Sequence, residues 1–237
     1  MITIILAAGY GTRLYPLTKN KPKALLQIGK KPIINYITDQ INHKILIVTN
    51  QRFYKHFLKW AKTQNKDIEV INDKTTSNET RLGGIGDLYL AIKEKNINED
   101  ILVLGSDNVF NKFDIKEFIN FYKQKNSPVI ALYNIKDLNL AKLYGVIKTN
   151  KNKKIISFKE KPEFPESTLI STCFYIYPKT FIKNIINYMN TENNKDGPGY
   201  LIQHYYKKLP IYGFEFQGLW FDIGTIEQYK KANEIFK

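Results

Sequence analysis

Cysteine is nearly missing from this 237-residue chain: Cys173 stands alone. One thiol excludes an intrachain disulfide and a cysteine–zinc site, and makes the cytoplasm the expected compartment. Arginine is almost as scarce. Arg13, Arg52 and Arg81 are the only three among 36 basic residues, and the rest are lysine. The net charge of +14 invites a nucleic-acid reading. Groove and phosphate readers, however, lean on arginine and on clustered charge. Here the lysines are dispersed among asparagine and isoleucine, and the dense runs Lys151-Asn152-Lys153-Lys154 and Lys207-Lys208 fall at a turn and a helix end. A solvated basic surface that attracts small anions is expected, with no nucleic-acid partner. No apolar run approaches the roughly 20 residues needed to span a bilayer. Met1 to Ala8 is apolar but short, without a basic start or a cleavage site, so no signal peptide and no membrane partner are expected.

What is present is enough for a core: 43% hydrophobic residues and 14% aromatics. Ile2–Ala7 is apolar but for Thr3, the mark of a parallel strand covered on both faces. Residues 32–41 carry apolar positions at helical spacing behind Pro32. Strands are expected at 44–49, 68–71, 101–105 and 128–133, with helices at 51–63, 82–95 and 115–125 between them. This alternation predicts an α/β fold with a Rossmann-like, mostly parallel sheet flanked by helices. From Tyr144 the texture changes. Short strands at 145–149 and 155–159 around a Lys/Asn turn predict a β-hairpin. A strand at 169–177, helices at 178–190 and 199–208, strands at 211–217 and 220–221, and a closing helix at 225–236 capped by Thr225 follow. We expect one domain over 1–237, its texture changing between a first part over about 1–135 and a second over 136–237.

In open α/β sheets ligands bind at the carboxyl ends of the strands. Two chemistry-bearing stretches lie at such ends: Gly9-Tyr10-Gly11-Thr12-Arg13, and Ser106-Asp107-Asn108. The first is half of a dinucleotide fingerprint, because Leu14 and Tyr15 stand where the third glycine belongs. No GxxxxGK[ST] follows the strand, so it is not a P-loop either. It remains a glycine turn whose backbone N–H groups can approach phosphates or a base edge, with Arg13 and Lys23 as fixed cations on the same loop.

LAAGYGTRLYPLT…KPKALL, over Leu6 to Leu26, closely resembles the signature of the sugar-1-phosphate nucleotidyltransferases, the glucose-1-phosphate thymidylyl-, uridylyl- and cytidylyltransferases among them. KPIINYITDQI, ILVLGSDNVF, YGVIKTNKNKKIISFKEKP and LWFDIGTIEQYKKAN follow in the family's order over nearly the whole chain. The resemblance implies transfer of a nucleoside monophosphate from dTTP, UTP or CTP to a sugar 1-phosphate, releasing pyrophosphate. It implies Arg13 and Lys23 on the phosphates as catalytic cations, and Asp107 and Asp222 as ligands of Mg²⁺. Leu6, Ala8, Gly9, Gly11 and Thr12 are the implied nucleotide contacts. Gly145, Glu160 and Lys161 are the implied sugar-phosphate contacts, and Thr172 is expected near the sugar from its inward strand. The resemblance thus implies a nucleotide-binding half over about 1–135 and a sugar-phosphate-binding half over 136–237. The expected partners are the two substrates, and a homo-oligomer is allowed.

One block departs from the commonest pattern. Asn78 to Asp87 lacks the base-reading glutamine of many thymidylyltransferases. Gly83 and its neighbours would let a helix start near the base or ribose. Asp87 either accepts from a nucleotide donor or favours the helix's first turn. Two other readings stand beside the first: a relative acting on a non-sugar phosphate such as phosphocholine, and an inactive nucleotide-sugar-binding paralogue. The latter typically loses a signature cation or aspartate, which this chain keeps. His43, His56 and His204 lack ligand spacing, and Asp196-Gly197-Pro198-Gly199 reads most simply as a turn into a helix.

Overall fold

The computed structural model describes residues 1–191 and 193–237. In chain order, β1 is Ile2–Leu6, β2 Gln27–Ile28, β3 Lys31–Pro32, α1 Asn35–Thr38, β4 Ile45–Thr49, α2 Tyr54–Ala61 and β5 Ile68–Asn72. Next come α3 Gly84–Glu94, β6 Ile101–Gly105, β7 Asn108–Phe110, α4 Ile115–Lys125, β8 Val129–Asn134 and α5 Leu138–Ala141. The chain continues through β9 Gly145–Thr149, β10 Ile155–Glu160, β11 Leu169–Tyr177, α6 Ile182–Met189 and α7 Pro198–Tyr205. It closes with β12 Tyr212–Glu215, β13 Trp220–Asp222 and α8 Ile226–Ile235.

Nine strands form the central sheet along the path β10-β9-β11-β6-β1-β4-β5, with β8 and β12 branching from β11. β6, β1, β4 and β5 are mutually parallel, and β12 is parallel to β8. β11 runs antiparallel to β6, β8 and β9, so the strands of the second half of the sequence are built onto the parallel half by backbone hydrogen bonds. The period-2 alternation of the parallel strands divides the core into two layers. Ile5, Ile47, Leu102 and Leu104 face α2 and α4 through Phe57, Trp60 and Phe118. Ile4, Leu46, Val48 and Val103 face α3, α6 and α7 through Leu88, Ile185 and Leu201. Each such fully buried side chain contributes about 1.5–3 kcal/mol relative to exposure, which is why unbroken apolar strands settle in the sheet centre.

The expected helix over 32–41 shortens to Asn35–Thr38. The Ile33 and Ile34 amides are drawn instead to the carbonyls of Leu26 and Ala24, and Lys31–Pro32 pairs with Gln27–Ile28. The helix expected from Leu82 begins at Gly84. A strand absent from the sequence reading, β7, pairs antiparallel with β13 and sets Asn108 opposite Asp222. These two short strands lie beyond the carboxyl end of β6 and bring the Asp107 and Asp222 segments together. Among the described residues no helix is long and apolar enough to cross a membrane.

Candidate active site

β1 ends at Leu6, and the chain that follows is held from behind. Asn50 Nδ2 donates to the Ala8 carbonyl at 2.8 Å and Thr49 Oγ1 to that of Ala7 at 3.3 Å. Gly11 lies at φ +63, a left-handed geometry that suits glycine, and its carbonyl accepts from Thr18 Oγ1 at 2.7 Å. The turn opens a short 3₁₀ segment, Thr12–Leu14, which presents Arg13 to solvent and anchors Leu14 in the core. Gly9 has no atom within 4 Å of where a Cβ would stand, so its backbone borders open space.

Two cavities adjoin this loop. One, about 380 Å³, is lined by Leu6, Ala8, Gly9, Gly11, Thr12, Arg13, Lys23, Gly83 and Asp87. The other, about 410 Å³, is lined by Arg13, Gly145, Glu160, Lys161, Gly199 and Asp222. Arg13 and Gly224 border both. Every residue expected to touch nucleotide therefore lines the first cavity, and Gly145, Glu160 and Lys161 line the second.

Thr172 does not. It is buried, and its hydroxyl donates to the Ala131 carbonyl at 3.0 Å within the sheet, so no hydroxyl from this position faces the cavity. Ser171, Cys173 and Tyr175, at alternate positions of β11, line that cavity instead, across a register irregularity between Ser171 and Tyr175. Cys173 takes a left-handed φ of +60 at the bulge. Period-2 alternation was readable in this strand, but not which of its two faces meets the cavity.

Lys23, Asp107 and Asp222 form a charged junction. Lys23 Nζ lies 2.5 Å from Asp107 Oδ2. Burial alone would depress the Lys23 ammonium, but the charges of Asp107 and then Asp222 outweigh it and raise its pKa. Burial likewise disfavours the Asp107 carboxylate, yet the Lys23 charge and the hydrogen bonds to the carboxylate together outweigh that and hold its pKa below the usual value. Asp222 is pushed up to about 7, by burial first and by the Asp107 charge second. Lys23 contacts Asp107, Arg13 acts on Asp222 from farther off, and the ligand atoms the two carboxyl groups offer are all hard oxygen. That set fits a hard divalent cation completing its shell with water and phosphate oxygens. Among the described residues no third carboxylate, histidine or cysteine joins the pair.

Glu160 sits on the second cavity with its pKa raised by burial, which Lys161 partly offsets. Its Oε2 would lie 1.8 Å from a Cβ on Gly199 and 2.9 Å from one on Gly145, so both glycines make room for the carboxylate. The Asp196-Gly197-Pro198-Gly199 segment does more than turn into a helix. Its glycines and proline line the second cavity, while Asp196 lines the first. Asp196 also accepts from Arg81 Nε at 3.0 Å. The leading amides of α3, Gly84 and Ile85, donate to the Asp196 and Lys195 carbonyls at 2.6 and 3.0 Å, so this helix start is closed to phosphate.

Sequence reasoning named Asp87 but missed the buried polar group it joins under the first cavity. Asp87 is 5% exposed and its Oδ1 has no partner. Near it, Asp73 accepts from Thr75, whose hydroxyl is 3.1 Å from that of Tyr10, and Tyr10 lines the same cavity. Burial, then the Asp73 charge, push Asp87 up to about 8. Spacing gave no signal for this group, because its members come from a loop, a strand end and a helix separated by long stretches of chain.

Known proteins similar to this chain match it over most or all of its length. A glucose-1-phosphate adenylyltransferase of Lachnospira eligens is 27% identical over 98% of this chain and 59% of its own length. A bifunctional protein GlmU of Methanococcus vannielii is 31% identical over 100% of this chain and 55% of its own. UTP–glucose-1-phosphate uridylyltransferase AglF of Haloferax volcanii is 32% identical over 75% of this chain and 72% of its own. For the first two, the chain spans little more than half the length of the relative. Among solved structures, UDP-glucose pyrophosphorylase complexed with UDP-glucose superposes with a TM-score of 0.83 over 99% of this chain and 97% of the other. At 21% identity that likeness shows the fold. Residues 2–237 match the family described as nucleotidyl transferase, and the chain belongs to it.

Proposed function

We propose that the protein transfers a nucleoside monophosphate from a nucleoside triphosphate to a sugar 1-phosphate, giving a nucleotide sugar and pyrophosphate. The observation that carries this reading is the pair of adjoining cavities sharing Arg13 and Gly224, with Lys23, Asp107 and Asp222 beside the join. A two-substrate phosphoryl transfer needs that layout: an acceptor phosphate brought in line with an α-phosphorus, in a field that offsets growing negative charge.

In this reading the glycine turn and Asp87 hold the nucleoside, and Lys23 lies against the α-phosphate, where charge builds in the transition state. Arg13, bordering both cavities, offsets the charge of the departing pyrophosphate. Lys161 grips the acceptor phosphate and Glu160 accepts from sugar hydroxyls, held in place by the space over Gly145 and Gly199. A phosphate oxygen of the sugar attacks the α-phosphorus, and the bond to the β-phosphate oxygen breaks. Asp107 and Asp222 are the residues that would hold Mg²⁺, which when bound supplies positive charge shared by the two phosphates. Lys23 keeps Asp107 ionised for that role through its 2.5 Å contact.

The relatives' names span adenylyl, uridylyl and guanyl transfer. The nucleotide therefore belongs in the test as a variable, beyond dTTP, UTP and CTP. Four nucleoside triphosphates are crossed with a panel of sugar 1-phosphates and phosphocholine, with Mg²⁺ present and pyrophosphate release as readout. Release with a sugar 1-phosphate is expected. Release with phosphocholine alone would move the acceptor outside the sugars, and no release from any pair would remove the catalytic reading.

A further inference from the structure

Asn108 is absent from every role assigned so far, yet both of its polar ends are committed beside the charged junction. Its Oδ1 accepts from the Trp220 indole Nε1 at 2.7 Å. Its Nδ2 donates to Asp107 Oδ1 at 3.0 Å and reaches the Gly105 carbonyl at 3.4 Å. The indole is a donor only, so it fixes which end of the amide is oxygen and leaves the N–H₂ pointing at Asp107. Asp107 is thereby gripped through both oxygens, Oδ2 by Lys23 and Oδ1 by Asn108. The indole is itself held between Tyr133 and Tyr144, with centroid separations of 5.4 and 5.3 Å.

The placement joins the two aspartate segments. Asn108 stands opposite Asp222 in the β7–β13 register, and the Ile223 amide donates to the Asp107 carbonyl at 2.9 Å. Trp220 lies two residues before Asp222 on the same strand. A Cβ on Gly105 would stand 2.9 Å from Asn108 Nδ2, so glycine there leaves room for the amide.

We propose that Asn108, oriented by Trp220, is a positioning residue that fixes the Asp107 carboxylate and sets its distance from Asp222. This rests on the reading of Asp107 and Asp222 as a divalent-cation site. Partners that orient a ligating carboxylate typically change metal affinity by 10–100-fold when removed. A free-standing carboxylate at Asp107 would rotate, and the pair would lose its preset spacing.

The test is Mn²⁺ binding to the full chain without nucleotide, read by electron paramagnetic resonance, alongside steady-state kinetics and thermal unfolding. Asn108→Ala is expected to weaken Mn²⁺ binding at least tenfold and to lower kcat, with KM for the sugar phosphate within about twofold. Trp220→Phe keeps the ring packing, loses the indole donor, and is expected to weaken Mn²⁺ binding less. The double variant is expected to be no worse than Asn108→Ala, because both act through one amide. Folded single variants that bind Mn²⁺ like wild type would overturn the positioning role alone. A wild-type protein that binds no Mn²⁺ would overturn the cation site and this inference with it. If Asn108→Ala does not fold, Trp220→Phe decides, and if neither folds, the pair is a core element and the proposal falls.

Discussion

The Glu160 carboxylate fills the space above Gly199: a Cβ on that glycine would lie 1.8 Å from Glu160 Oε2. The second residue of helix α7 therefore cannot grow without moving a cavity wall. Gly199→Ala is expected to displace Glu160 and raise KM for the sugar phosphate by about tenfold, roughly 1.4 kcal/mol. KM for the triphosphate is expected to hold. Initial-rate kinetics with each substrate varied in turn check this, and a rise confined to the triphosphate would contradict it.

Asp87 couples stability to pH. A carboxyl whose pKa is raised on folding, here up to about 8, binds its proton more tightly in the folded chain than in the unfolded one. Stability from that site is full below the unfolded value of about 4 and is lost as pH climbs toward the folded value. The slope is at most about 1.4 kcal/mol per pH unit across that window. Asp87→Asn removes the titration while keeping the shape, so its unfolding free energy is expected to fall less steeply with pH. Urea unfolding at about pH 5 and about pH 7 compares the two slopes, and equal slopes would place Asp87 ionised in the folded chain.

Lys23 is the cation closest to Asp107, and Lys23→Met leaves two carboxyl groups facing one another without it. A kcat loss of about 10²–10³ is expected, the range for removing one preorganised charge partner. Asp107 also loses the charge that holds its pKa low. The acid limb of the kcat/KM profile is therefore expected to move to higher pH, and a pH–rate profile of the variant reads it.

Gly83 joins the nucleotide-side helix to the 195–196 segment. It lies at φ +80, and a Cβ there would stand 2.4 Å from the Lys195 carbonyl oxygen. Gly83→Ala combines left-handed strain of about 1–2 kcal/mol with that overlap. A fall in Tm of roughly 4–10 °C is expected by scanning calorimetry, taking about 2–4 °C per kcal/mol for a chain of this size. A Tm within one degree of wild type would show that the segment moves aside freely.

The parallel strands and the glycine turn were legible because their signals are local. Largely apolar runs mark β1, β4 and β6, and Arg13 and Lys23 follow the carboxyl end of β1 as Asp107 follows that of β6. Non-local competition erased other signals. Ile33, Ile34, Ile37 and Ile41 keep helical spacing and are all buried, but hydrogen bonds to Ala24 and Leu26 take the amides of the first two. Thr172 was placed on the wrong face because alternation alone does not say which face of β11 meets the cavity; its hydroxyl turns to the Ala131 carbonyl of β8. Asn108 could not be singled out, since its partner Trp220 is 112 residues away.

The central claim is that a sugar-phosphate oxygen attacks the α-phosphorus and expels pyrophosphate. It is tested most directly with a sugar 1-phosphate carrying ¹⁸O on every phosphate oxygen, the products being read by ³¹P NMR and mass spectrometry. All the label is expected in the nucleotide sugar, one labelled oxygen bridging the two phosphorus atoms, with none in the pyrophosphate. Label in the released pyrophosphate, or an unlabelled bridge, would contradict it.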